Sequence, residues 1–253
     1  MHQDHYYNNP PIDEAICEFH FKPGQDWDLT IPGKLHIELA DEYSGKPREQ
    51  RALGVELDVQ ERQLSYNEGL ARVQLVTHDG KRMVGIGPNI LSVHMLRPYH
   101  SPNFAGNSGW VEFQFRIKRA LESCWNVLQP LGVHRVGVRY INRIVIPQKM
   151  VMIGDYLKCA LPEVTGLPSR LNSYVSRVEY TYTDNTRLVL SQGSIDAPKD
   201  HVALLLDLDV IWENAEPITR DKALVTVNDL HTREGEAFES VITDKARELF
   251  NAA

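Results

Sequence analysis

Cysteine is scarce: three residues in 253, at positions 17, 124 and 159, odd in number, widely spaced and without a C-x-x-C pair. That excludes a disulfide framework and points to reduced, buried thiols in a cytoplasmic protein. Long apolar runs are also missing. The longest, Val202–Leu206, is strand-sized, far below the roughly 18 residues that cross a bilayer. The opening Met1-His2-Gln3-Asp4-His5-Tyr6-Tyr7 has no apolar segment of the signal-peptide kind. Positive charge is not in excess either. The net charge is −7, the opposite of the basic footprint of a general nucleic-acid binder.

Recognisable catalytic motifs are absent as well. There is no G-x-S-x-G and no cysteine in an activating context. His20, His134, His201 and His231 are scattered, with no zinc spacing among them. Gly85-Ile86-Gly87-Pro88 lacks the further glycine and the helix of a phosphate loop, so it reads as a strand bend. No internal repeat and no low-complexity tract occurs.

What is present is an ordinary globular composition, 42% hydrophobic and 24% charged, on a chain long enough for one large domain or two packed halves. Pro10-Pro11 sets an extended entry, and Glu14–Phe21 alternates. Ala15, Cys17, Phe19 and Phe21 take one face, while Glu14, Ile16, Glu18 and His20 take the other. Residues 32–43 suit a helix, and 44–68 read as loop with a short strand. Ala71–Val76 and Arg82–Ile86 flank Asp79-Gly80 as a hairpin, and Ile90–Leu96 follows as a strand. Phe113, Ile117, Leu121, Cys124, Trp125 and Leu128 recur at helical steps over 110–128, stopped by Pro130 and Gly132. A long strand follows over 133–146.

Beyond a connector with a short helix at 154–160, strands are expected at 174–183, 186–191 and 201–212. Residues 213–224 read as loop. A final helix over 227–250 is expected to break near Gly235. The expected fold is α+β. A split β-α-β-like half (1–147) with an antiparallel or mixed sheet packs against a smaller strands-then-helix half (148–253) as one unit.

The sharpest chemical feature is the strand 133–146. Alternation places Arg135, Arg139 and Arg143 on one face, successive arginines roughly 13 Å apart, with the bare Gly137 between the first two. Guanidinium groups so placed can hold a phosphate-bearing small molecule or nucleotide, with Glu14 or Glu18 as a base and Tyr140 and Asn142 as neighbours. The alternative is internal pairing. If the first and last strands of the split unit are adjacent, Glu14 and Glu18 stand opposite Arg135 and Arg139, and Glu179 and Asp207 serve likewise. Asp207 and Asp209, two apart on one strand face, are candidate ligands for Mg²⁺, though Asp-x-Asp alone is a weak signal. No other cofactor is expected.

Several segments together resemble a known family. They are Asn9-Pro10-Pro11-Ile12-Asp13-Glu14-Ala15-Ile16, His78-Asp79-Gly80, Gly87-Pro88-Asn89 through Pro98-Tyr99, and Trp110-Val111-Glu112-Phe113. Most specific is Arg135-Val136-Gly137-Val138-Arg139-Tyr140-Ile141-Asn142-Arg143-Ile144. Leu206–Val210, His231 and Phe238–Lys245 complete the set. In this order they resemble a sporadically distributed, uncharacterised family of bacterial proteins, which brings no established activity, cofactor or catalytic residue. The insertion at 100–108 departs from the family's pattern. Patchy distribution implies mobile genes, often those of defence systems or toxin–antitoxin pairs. The expected function is therefore a non-catalytic binding or regulatory protein acting with a protein partner from the same locus. The alternative is an enzyme or sensor for a phosphate-bearing ligand on the arginine face, with metal-assisted phosphoryl transfer as the reaction such a face could support. General DNA binding and membrane association are not expected.

Overall fold

Period-two alternation over Ile12–Lys22 makes β1, whose residues Ala15, Cys17, Phe19 and Phe21 are buried. The computed structural model describes residues 7–58, 63–100, 109–158 and 171–251. In it β1 is joined by β2 (Arg48–Asp58), β3 (Gln63–Val76), β4 (Arg82–Gly87), β5 (Ile90–Leu96) and β6 (Gly132–Ile146). The set is completed by β7 (Val175–Thr181), β8 (Arg187–Ile195) and β9 (Val202–Ile218). Among the described residues these form one sheet in the order β2-β3-β4-β5-β1-β6-β9-β8-β7, with every pairing antiparallel. The class is α+β.

Among the described residues four helices accompany the sheet: α1 (Ile31–Leu39), α2 (Trp110–Leu128), α3 (Arg220–Val241) and α4 (Asp244–Asn251). Helix α3 lies on β6 and β9, while α2 contacts β5, α1 and α3. The core fills the layer between sheet and helices, with Phe19, Phe21, Phe113, Ile117, Val138, Leu206 and Leu208 inside it. Local chemistry sets the helix ends. Gln129 takes the left-handed conformation after α2, returning its N–H to Trp125 O, and Pro130 follows. At α3, the Thr219 side chain accepts from Lys222 N. A buried ion pair ties the start of α2 to the sheet. Arg82 donates to Glu112 through Nε at 2.8 Å and also to the carbonyls of Leu96 and Pro98.

Several expected boundaries move. The stretch 44–68 contains β2 and the start of β3 rather than mostly loop. Gly54 and scattered charges obscure any period there, while the ladder pairs backbone with backbone. Residues 213–218 extend β9, because Ile218 pairs with Val133 of β6, and α3 starts at Arg220. Gly235 does not break the helix. The interruption comes at Ile242, which bridges to Leu157. In place of a helix over 154–160 there is a single 3-10 turn at Ile153–Asp155, with 159–160 outside the described residues. Cys159 and residues 101–108 of the insertion also lie outside them.

Candidate functional site

The helices cover one face of the sheet, so side chains alternating to the other face determine what that face can do. On β6 these are Arg135, Gly137, Arg139, Ile141 and Arg143, and on β1 Glu14, Ile16, Glu18 and His20. Strands β1 and β6 are neighbours, as expected, but the register differs from the expected Glu–Arg pairing. Glu14 faces Ile141, Ile16 faces Arg139, Glu18 faces Gly137 and His20 faces Arg135. The two glutamates find other partners. Glu18 accepts from Arg72 Nη2 of β3 at 2.7 Å, and Glu14 accepts from His94 Nδ1 of β5 at 2.8 Å. The expected mutual pairing of these glutamates with Arg135 and Arg139 is thus corrected by register.

The arginines divide three ways. Arg139 grips Asp207 with two parallel bonds, Nε to Oδ1 at 2.8 Å and Nη2 to Oδ2 at 2.6 Å. Arg143 lies further along β6 and donates to the Asp196 carbonyl at 2.8 Å. Arg135 is different. Its Nη1 lies 3.2 Å from His20 Nε2, and its buried Nε has no hydrogen-bond partner. The same His20 Nε2 lies 2.7 Å from Glu18 Oε1. Burial opposes ionisation of Glu18, but hydrogen bonds from His20 and Arg72 outweigh it and hold the carboxyl down at about 2. Facing an ionised carboxylate, His20 Nε2 must carry its proton and donate to Glu18. It then has no lone pair for Arg135. The Arg135 guanidinium therefore has a permanent positive charge and no protein acceptor among the described residues.

Asp209 is its counterpart. In register it faces Arg139, yet Arg139 turns diagonally to Asp207. The Asp209 carboxylate leans instead over Gly137, where an added Cβ would lie 3.6 Å from Oδ1. Asp209 makes no hydrogen bond or ion pair among the described residues. Burial raises its carboxyl to about 6, against the pull of Arg139 and Arg135. Arg135 and Asp209 both line one trough of about 340 Å³, together with Arg139, Asp207, Arg177 and Arg187. Arg187 is held by Glu179 at 2.9 Å and Glu213 at 3.2 Å.

Tyr140 and Asn142 point to the other side of the sheet and do not join this trough. Tyr140 bonds Tyr99 Oη at 2.9 Å in the core, and Asn142 donates to the Leu206 carbonyl. Asp207 and Asp209 do share a face, but both oxygens of Asp207 are engaged by Arg139. Among the described residues no group of three or more His, Cys, Asp and Glu side chains has metal-holding geometry. Cys17 and Cys124 are buried, and burial pushes both thiols up, away from reactivity.

One arrangement escaped the sequence reading. Ser92 Oγ lies 2.9 Å from His94 Nε2, and His94 Nδ1 is bonded to Glu14, giving the connectivity of a serine–histidine–carboxylate relay. Ser92 is 0% exposed, and surrounding backbone N–H groups are spent in the β4–β5–β1 ladders. A buried oxygen without oxyanion donors cannot serve as a nucleophile, so the relay orients Glu14 and His94. Its signal was the polar alternation Ser92, His94 within Ile90–Leu96. Arg177 and Arg187 were missed because only the strand order brings them to the trough, and Arg72 because only that order brings it to Glu18. No family model matches this chain, and no match to it was found among curated proteins.

Proposed function

We propose that the protein is a binding protein or sensor for a small phosphate-bearing ligand, held in the trough between β6, β9 and β8. The carrying observation is Arg135, a cation facing an N–H on one side and the trough on the other. Buried polar groups in folded proteins are almost always paired, so an unpaired guanidinium lining a cavity calls for an acceptor from outside. Guanidinium favours a phosphate oxygen pair, and the lone carboxyl of Asp209 supplies a second anchor for a ligand hydroxyl. Arg177 and Arg187 line the far wall, their charges balanced by Glu179 and Glu213, so Arg135 is the cation left for the ligand.

Thermal-shift and calorimetric titration with inorganic phosphate, pyrophosphate and AMP test the reading. At least one of these probes raises the unfolding temperature by mass action. Arg135→Ala removes that response while its circular dichroism and its melting temperature without ligand stay those of the parent. No response from the parent to any of the three, or an equal response from Arg135→Ala, overturns it.

A further inference from the structure

Among the described residues strand β7 ends the sheet, and no strand pairs with its outer edge. Its pattern of backbone bonds is readable from the ends. Ser194 N donates to Tyr174 O at 3.0 Å, and Tyr182 N donates to Thr186 O at 2.8 Å. In an antiparallel ladder, bonded and non-bonded pairs alternate. In the β7–β8 register the even-numbered residues therefore turn their N–H and C=O groups toward β8. Val175, Arg177, Glu179 and Thr181 turn theirs outward, and among the described residues no strand meets them. Strand β7 has no proline, no lysine and no bulge, and its two charges, Arg177 and Glu179, are of opposite sign. Its side chains are bare as well, with Val175 87%, Tyr180 54% and Val178 39% exposed.

The sequence Val175-Ser176-Arg177-Val178-Glu179-Tyr180-Thr181 is complementary to itself when reversed about Val178. We propose that β7 is a self-association edge on which a second copy of this chain pairs antiparallel, with Val178 on the two-fold axis. Arg177 then stands opposite the partner's Glu179, and Glu179 opposite the partner's Arg177. All four outward residues meet outward residues, so the ladder closes without a stranded N–H or C=O. On the opposite face of the sheet, Val178 meets the partner's Val178 and Tyr180 covers the partner's Ser176.

The adjacent permitted registers are disfavoured by charge. An axis at Arg177 places arginine opposite arginine, and an axis at Glu179 places glutamate opposite glutamate. A two-fold interface must be complementary to itself, and this register satisfies that condition in both backbone and charge. The inference does not depend on what the trough binds.

Sedimentation velocity on the full chain over a concentration series tests it. The parent sediments as a dimer. Arg177→Glu and Glu179→Arg each set like charges opposite at two symmetry-related places and weaken the dimer about tenfold or more. The double variant R177E/E179R restores opposite charges across the axis and restores the dimer, which separates pairing from misfolding. A monomeric parent throughout the series, single variants as dimeric as the parent, or a double variant that stays monomeric while folded would each overturn it.

Discussion

Glu234 shows how much one residue can cost. It sits on the sheet-facing side of α3, 5% exposed, and has no hydrogen-bond partner among the described residues. Burial alone pushes its carboxyl up to about 8. The unfolded chain releases this proton near 4.5 and the folded one only near 8, so the folded state holds more protons between those values. Stability therefore falls as pH rises through that window and levels off above it. Glu234→Gln removes the charge while keeping the shape. The variant is expected to be more stable than the parent at pH 8 by roughly 4 kcal/mol and nearly equal to it at pH 4, as measured by urea denaturation at both values. Equal stability at pH 8 would mean that the carboxyl is paired or hydrated after all. Asp209 is raised for the same reason, but it faces the trough, where a ligand can supply what the protein does not.

Among the elements, α3 is the one whose sequence most misleads. Gly235 stands mid-helix and suggests a break, yet the helix runs unbroken from Arg220 to Val241. Packing on β6 and β9 through Ala223, Val227, Leu230 and Ala237 outweighs the low propensity of one glycine. A Cβ at Gly235 would meet nothing within 4 Å. Gly235→Ala is accordingly expected to stabilise the protein by about 0.5–1 kcal/mol, chiefly by restricting the unfolded chain. Chemical denaturation measures this directly, and a destabilised variant would show that the helix is strained there. Helix α2 is fixed differently, by the charge-paired, buried Arg82–Glu112 contact. Its glutamate stays ionised because hydrogen bonds from Arg82 and Arg116 outweigh the cost of burial.

For the whole molecule, the decisive pairing is β1–β6–β9. Strand β6 belongs to the first 147 residues and β9 to the rest, yet they share the ladder from Val133–Ile218 to Ile146–Val202. Neither half can leave without stripping one side of β6. Unfolding should therefore be a single cooperative transition. Single-tryptophan variants reporting from Trp125 in α2 and Trp212 in β9 are expected to share one denaturant midpoint. Separated midpoints would show that the two halves melt independently.

The residues alone determined much of this architecture. Alternation in Glu14–Phe21 and 133–146, the three-and-four spacing in α2, and the Asp79-Gly80 turn are local signals, imposed by the geometry of strand, helix and turn. They also placed Arg135, Arg139 and Arg143 on one face. Register lay beyond them, because a two-residue slip leaves every face unchanged while exchanging every partner. Only the tertiary structure could therefore decide that Arg139 binds Asp207, that Glu18 turns to Arg72, and that Arg135 and Asp209 are left without partners. The exposure of β7 was equally out of reach. Which strand ends a sheet depends on how all the others pair, and no stretch of sequence carries that information by itself.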